Sequence, residues 1–236
     1  MSLLTVVQEF CRRTGLSAPS AVALSQDPQV RQMLALCNEL VTEMVSDRYP
    51  WRALIAEATF STVAGESQGQ LTSLAPGYRG MLPGTLWSRA QNLPIIGPLG
   101  AEEWQSRKAM PVTGTSYQYR IRGNELLFSP EVTVPGELIA FEYRHNLAVR
   151  SSTGTGQTAF LADTDTYLLP EELLLLGLRW KWREEKGLEF ITLYESWLRL
   201  VKQAASDDGT KPILDLDRAG SSPRPGIFVP YGNYTL

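Results

Sequence analysis

Apolar residues recur at helical spacing near both ends of the chain. At the N-terminal end the pattern predicts one helix from Ser2 to about Thr14 and a second that opens at Asp27-Pro28 and stops before Pro50. In the second helix the apolar residues follow the i, i+3, i+4, i+7 spacing of a single face: Val30, Met33, Leu34, Cys37, Leu40, Val41 and Met44. Both helices are therefore expected to bury one face in a core.

Another helical part begins at Pro170 and predicts a hairpin of two helices over residues 170–206. Proline suits the first position of a helix, and the acids Glu171 and Glu172 suit the positive end of its dipole. The second helix of this hairpin places large residues on one face: Phe190, Tyr194, Trp197, Val201 and Ala204.

Three residues in the first helix of the hairpin carry specific expectations. Gly177 lies in the helix interior, where glycine costs about 1 kcal/mol relative to alanine, so it predicts close approach by another helix. Trp180 continues an apolar stripe and is expected in the core. Lys181 is expected to face solvent, so that Lys181→Ala should cost little stability.

Between the helical parts, short segments separated by Gly and Pro predict antiparallel strands at residues 58–63, 81–86, 117–122, 125–129 and 137–144. Gly123-Asn124 joins two of them and is typical of a tight hairpin, with Tyr117, Tyr119 and Ile121 on one face. Residues 101–108 predict a short helix, and residues 151–157 a flexible loop.

Together these elements predict an α+β fold that is mainly α. An antiparallel helical bundle is expected from residues 1–56 and 151–206, with a small antiparallel β region inserted at 57–150. An extended C-terminal arm is expected over residues 207–236.

The C-terminal arm combines structure breakers with large apolar residues. Its prolines and glycines exclude a long helix and disfavour a central strand. Disordered segments usually lack large apolar residues, so this segment is expected to bind a partner surface. The predicted contact residues are Ile213, Leu214, Ile227, Phe228, Val229, Tyr231, Tyr234 and Leu236. The alternative is that the arm packs on its own domain.

Composition narrows the function classes. The 22 basic and 25 acidic residues leave a net charge of −3, which gives no overall electrostatic attraction to nucleic acid or anionic membrane. No apolar run approaches the roughly 20 residues that a membrane span needs, and no secretory signal pattern is visible. Cys11 and Cys37 lie on apolar helix faces, so both are interpreted as small buried hydrophobes of a protein made in the cytoplasm.

The sequence offers little for catalysis, and we predict no catalytic residue, no metal ligand and no cofactor. His145 is the single histidine, so any triad or histidine-based metal site would have to use it. The carboxylate pairs 102–103, 171–172 and 184–185 are adjacent on helices and point about 100° apart. Asp163 and Asp165 could bind a hard cation, but a role in the approach to a capped helix is favoured.

Basic and aromatic residues alternate in residues 179–186, RWKWREEK. Such a pattern can bind nucleic acid by base stacking and phosphate contact. A structural role for the aromatic residues is favoured, because Glu184 and Glu185 cancel much of the local charge.

The order and spacing of several segments resemble the head-to-tail adaptor (connector) proteins of short-tailed bacteriophages. The segments are QMLALCNE (32–39), YPWRAL (49–54), ATF (58–60), LPGTLWSR (82–89), PIIGPL (94–99), YRIRGN (119–124), FEY (141–143), ADTDT (162–166), LPEEL (169–173) and LRWKW (178–182). The resemblance covers roughly residues 1–206 and contains no catalytic signature.

The resemblance implies a structural protein of the virion, located at the head–tail junction. Its subunits would form a ring, typically twelve-fold, beneath the portal protein, which would extend the DNA channel and carry the tail nozzle or tail tube. C-terminal extensions of that family reach into the portal, in keeping with the arm predicted here. DNA would pass only as a non-specific passenger.

Two other function classes remain open. Some tail-associated proteins that resemble this family have been proposed to degrade peptidoglycan, which would require two carboxylates about 5 to 9.5 Å apart in a cleft. The other is a monomeric binding module whose tail packs on its own domain.

Overall fold

The structure is a computed structural model that describes residues 1–46, 49–109 and 116–209. Within these ranges the helices are α1 (Leu3–Thr14), α2 (Pro28–Ser46), α3 (Leu71–Leu74), α4 (Ala101–Ala109), α5 (Glu171–Glu185) and α6 (Ile191–Asp208), with a 3-10 turn at Arg52–Leu54. No helix in these ranges is long and apolar enough to cross a membrane.

The strands of the described residues form three antiparallel sheets. They are β1 (Ile55–Ser61), β2 (Gly65–Gln70), β3 (Tyr78–Met81), β4 (Trp87–Ser88), β5 (Leu93–Pro94), β6 (Gln118–Arg122), β7 (Glu125–Val132), β8 (Leu138–His145), β9 (Val149–Arg150), β10 (Gly156–Gln157) and β11 (Thr166–Tyr167). The largest sheet has the order β1-β8-β4-β5, with β3 also paired to β8. The other two have the orders β2-β7-β6 and β10-β9-β11.

Helix α5 lies at the centre of the helical part and packs against α1, α2 and α6. Gly177 makes this possible, since a Cβ there would lie 2.8 Å from Leu40 Cδ2 on α2 and 3.1 Å from Trp197 Nε1 on α6. The close approach predicted from Gly177 is therefore confirmed. Across the same contact Trp197 Nε1 donates a hydrogen bond of 2.9 Å to the Leu173 carbonyl oxygen.

The two larger sheets enclose a second apolar core, distinct from that of the helices. The hairpin predicted around Gly123-Asn124 is confirmed as β6 and β7, and both turn residues have positive φ (56° and 71°), as a two-residue hairpin favours. Tyr119 is buried, and Tyr117 and Ile121 pack on the same core, which confirms the predicted face.

The smallest sheet belongs to the helical part. Val149 on β9 and Tyr167 on β11 are buried in the helical core. The Leu3 N–H donates to the Asp165 carbonyl oxygen at 2.9 Å, which ties the start of α1 to the segment before β11. Strand β10 lies within residues 151–157, where only a flexible loop was expected.

The fold is mixed, and the prediction of a mainly α bundle with a small β insertion is wrong. About 40% of the described residues are helical and 25% lie in strands of the three sheets. The β content was underestimated because β2 reads GESQGQ, without apolar alternation, and pairs with β7 through its backbone. Five strands have only two residues, too few for any periodicity.

Several predicted boundaries also change. Of the strand expected at 81–86 only Met81 lies in a strand, as the last residue of β3, and residues 82–86 form none. Helix α6 continues to Asp208, so the arm predicted to start at 207 starts later. The rest of that arm, residues 210–236, lies outside the described residues.

Candidate interaction surfaces

Helix α6 is the least buried of the long helices. Of its 18 residues, Trp197 alone is buried. Ile191 is 59% exposed and Tyr194 36% exposed. The other large apolar residues of α6 are only partly buried, among them Leu193, Leu198, Leu200 and Val201. A helix with so much apolar surface and α5 as its main neighbour can accept a further partner.

An aromatic cluster fixes α6 on α5. Trp180 on α5 contacts Tyr194 edge-on, with ring centroids 5.0 Å apart, and lies 5.7 Å from Trp197. The expectation that Trp180 lies in the core is confirmed. The cluster holds the N-terminal half of α6 in place and leaves the helix's outer side open.

A basic patch lies where α5 ends and α6 begins. A groove of about 400 Å³ is lined by Arg13, Thr14, Leu16, Arg179, Trp182, Arg183, Leu188 and Leu193. The Arg13 guanidinium is already paired with Glu9 (Nε to Oε1, 2.8 Å). Arg179 and Arg183 pair with no carboxylate in residues 1–46, 49–109 and 116–209. Two guanidinium groups beside apolar side chains suit an acidic partner.

An acidic patch lies at the opposite end of the same hairpin. A groove of about 390 Å³ is lined by Trp51, Ala53, Leu168, Leu169, Pro170, Glu172, Leu200, Gln203, Ala204, Asp207 and Asp208. The Arg52 N–H donates to Asp208 Oδ2 at 2.9 Å, which fixes that carboxylate. Glu172 and Asp207 are exposed and pair with no cation among the described residues.

A third groove, of about 590 Å³, lies on the outer face of the largest sheet. Glu57 on β1 and Glu142 on β8 face each other in register. Directly opposed carboxylates repel, and the Arg89 guanidinium relieves this by pairing with Glu57. Trp87 lines the same groove beside Ala140. This sheet-face groove therefore combines acids, one base and one aromatic ring.

The residues considered for catalysis are not brought together. His145 is the last residue of β8, and its Nδ1 accepts a hydrogen bond from the Leu147 N–H at 3.2 Å. Burial, aided by the nearby Arg150 charge, lowers the pKa of His145. Within the described ranges no group of three His, Cys, Asp or Glu residues could hold a metal ion. Cys11 and Cys37 are free and buried, as predicted.

The side chains of Asp163 and Asp165 bind loop N–H groups and do not cap helix α5. Asp163 Oδ1 accepts hydrogen bonds from the N–H groups of Val22 and Ala23, at 2.9 and 2.7 Å. Asp165 Oδ2 accepts from two N–H groups of its own loop, at 2.8 and 2.9 Å. Helix α5 begins further on, at Glu171, so the favoured capping interpretation is wrong.

Lys181 does not face solvent, so that prediction is wrong. The low cost expected for Lys181→Ala rested on it and loses its basis. The residue is 4% exposed. Its Nζ donates to Glu39 Oε1 at 2.8 Å and to Glu43 Oε1 at 2.7 Å, both on α2. Burial alone would lower its pKa, but these two carboxylates outweigh that effect and raise it. Lys181 lies on the side of α5 that packs against α2, so it pairs with acids of that helix.

Comparison of the sequence with protein-family models gave no match, and comparison with curated proteins gave no significant match. The predicted partner-binding residues, Ile213, Leu214, Ile227, Phe228, Val229, Tyr231, Tyr234 and Leu236, lie outside the described residues. The basic and acidic patches were missed from sequence, because each joins residues from distant segments. Acidic residues at the two ends of the hairpin could have indicated the acidic patch, whereas Glu184 and Glu185 mask the arginines near its turn.

Proposed function

We propose that the protein is the head-to-tail adaptor of a short-tailed phage virion. Its copies would form a ring, taken as twelve-fold from the resembling family, below the portal protein. The ring would extend the DNA channel and carry the tail nozzle or tail tube. In this role the protein is structural, works without a cofactor and contacts genomic DNA only non-specifically at the head–tail junction.

Helix α6 carries the proposal. It exposes Ile191 and Tyr194 in its first turn, leaves its other large apolar residues only partly buried, and leads directly into the C-terminal segment with its cluster of apolar and aromatic residues. A helix that is partly uncovered and continues into an apolar segment is suited to an assembly in which neighbouring chains complete its burial. The order of the resembling segments over residues 1–206 supports the same role.

The charge of the chain is compatible with a DNA channel. A net charge of −3 provides little attraction to the phosphate backbone, so DNA could slide past the protein without being held. A channel protein with strong positive charge would retain the DNA it must release.

The test is a mass measurement with the portal protein encoded by the same phage genome. The isolated protein should be largely monomeric at micromolar concentration. Added to portal rings, it should co-elute with them and raise their mass by one ring of copies, since permanent ring interfaces bury about 2,000 Å² or more. A portal peak of unchanged mass would contradict the adaptor and favour a monomeric binding module.

A second candidate is a tail-associated peptidoglycan hydrolase, and one observation favours it. Glu57 and Glu142 face each other across two strands in the sheet-face groove. Opposed residues of an antiparallel pair have Cβ atoms about 4.5–5.5 Å apart, so rotation of the two side chains can bring the carboxyls to the about 5–5.5 Å of a retaining glycosidase. Both side chains are exposed, however, whereas a catalytic acid of that class lies in apolar surroundings.

The hydrolase is tested with Glu57→Gln and Glu142→Gln in a peptidoglycan-degradation assay. As an adaptor the protein should show no degradation before or after either change. Degradation that disappears in both variants, with His145→Ala and Glu102→Gln as controls that retain it, would establish the hydrolase instead.

A further inference from the structure

The basic and acidic patches lie at opposite ends of one helical hairpin. Arg183 is near the end of α5, and Asp207 is near the end of α6. Helix α6 has 18 residues, about 27 Å at 1.5 Å per residue. The outer charges of the two patches, Arg183 and Asp207, are therefore separated by roughly the length of a helix. The inner charges, Arg179 and Glu172, are about 10 Å apart along α5 and form no ion pair with each other.

The two patches match in character as well as in sign. Each is a shallow groove of similar size, about 400 and 390 Å³. Each combines charge with one leucine of α6 and one tryptophan: Leu193 and Trp182 in the basic patch, Leu200 and Trp51 in the acidic patch. Arg179 and Arg183 have no carboxylate partner, and Glu172 and Asp207 have no cationic partner, among the described residues.

We infer that the basic patch of one copy binds the acidic patch of the next. The occupant of each groove is a second copy of this chain, because the chain itself supplies a surface of opposite charge, similar size and shared apolar content. The inference deepens the proposed function and rests on it, since it names the contact between neighbouring subunits of the ring.

The symmetry of such a contact is determined by where the patches lie. Two different surfaces meet, so every copy donates one patch and receives the other, and the contact is heterologous. A heterologous contact closes into a ring when the rotation between copies is suitable, whereas a two-fold contact would stop at a dimer. The apolar residues between the patches, such as Leu198 and Val201, lie along the helix that links one contact to the next.

Charge reversal tests the contact without the portal protein. Sedimentation of full-length protein is compared for wild type, Arg183→Glu, Asp207→Lys and their double variant, at low and high ionic strength. Lys202→Glu, an equal charge change on α6 outside both patches, is the control. Above the micromolar range, in which the isolated protein is expected to be largely monomeric, wild type and the control should associate at low salt, and high salt should weaken this association.

Each single reversal places like charges in contact, so association should weaken about tenfold or more. The double variant restores opposite charges across the contact, so its association should return. An equimolar mixture of the two single variants should also recover association, because alternating copies again match. That recovery would show that both variants are folded.

Single variants that associate like wild type, or a mixture that remains monomeric, would overturn the inference.

A weak contact is trapped by cross-linking the double variant Arg183→Cys/Asp207→Cys with a short bis-maleimide. A ladder of cross-linked oligomers is expected from the double variant and none from either single one. Dimers from Arg183→Cys alone, or no ladder from the pair, would also overturn it. The self-association test uses no portal protein. Failure of portal binding therefore does not affect the result on self-association, and failure of self-association does not affect the result on portal binding.

Discussion

Helices α5 and α6 are adjacent in the chain and form one hairpin, yet they occupy opposite environments. Seven of the 15 residues of α5 are buried, including Trp180 and Lys181. One of the 18 residues of α6 is buried. Helix α5 contacts three other helices, whereas α5 is the main neighbour of α6. The difference suggests two roles: α5 holds the fold together, and we propose that α6 presents surface to other chains.

If this division is right, substitutions on α5 should mainly change the free energy of unfolding. Substitutions on α6 and removal of the C-terminal segment should mainly change assembly. The following predictions test the division in order of decreasing effect on stability.

Trp180→Ala should have the largest effect. Removing a buried aromatic ring leaves a cavity and should reduce the free energy of unfolding by about 3–5 kcal/mol. It also removes the contacts to Tyr194 and Trp197 that hold α6. Chemical denaturation measures the change, with Lys202→Ala on α6 as the control. A loss below about 1 kcal/mol would mean that α5 is not the centre of the core.

Lys181→Met should come next, at about 1–3 kcal/mol, because it removes two charge-assisted hydrogen bonds and leaves Glu39 and Glu43 close together. The substitution keeps most of the side-chain volume, so the loss reports on the ion pairs. Lys202→Met on the exposed side of α6 should change stability by at most about 0.5 kcal/mol.

The effect of Lys181 should also depend on pH. Its pKa in the folded protein is raised above the ordinary value of 10.5. The advantage of wild type over Lys181→Met should therefore be complete below pH 10.5 and shrink as pH rises through the folded pKa. This advantage is measured from denaturation curves of both proteins. The series begins at about pH 8, two units below that range, and continues upward. An advantage that stays constant to high pH would exclude the ion pairs as its source.

Tyr194→Ser should have a small effect on stability, about 1 kcal/mol or less, because the ring is partly exposed on α6. Its effect on binding to the portal should be larger than its effect on unfolding. Both are measured on the same preparation, by denaturation and by co-elution. A loss of several kcal/mol with unchanged binding would assign Tyr194 to the core and contradict the division of roles.

Every helix except α3, and one hairpin, could be predicted from the sequence, because their signals are local. The stripe from Val30 to Met44, Gly177 and the Gly123-Asn124 turn each carry their information within a few residues. The mixed character of the fold could not be predicted from the sequence, because strands such as β2 form only through pairing with distant strands.

The burial of Lys181 and the two patches depend equally on distant segments. Lys181 can be buried because its Nζ pairs with Glu39 and Glu43, which lie more than 100 positions earlier in the chain. The basic patch likewise joins Arg13 with residues 179–193. Neighbours of this kind cannot be inferred from one sequence.

The most direct test of the adaptor account is removal of residues 212–236, followed by measurements of both thermal unfolding and binding to the portal. The account predicts an unchanged unfolding transition and loss of co-elution with portal rings, because prolines limit the entropy lost on ordering and aromatic residues anchor the interface. Phe228→Ala and Tyr231→Ala should each weaken binding without changing the circular dichroism. Unfolding of the truncated protein would assign the segment to its own core, and normal binding by a folded truncated protein would contradict the account.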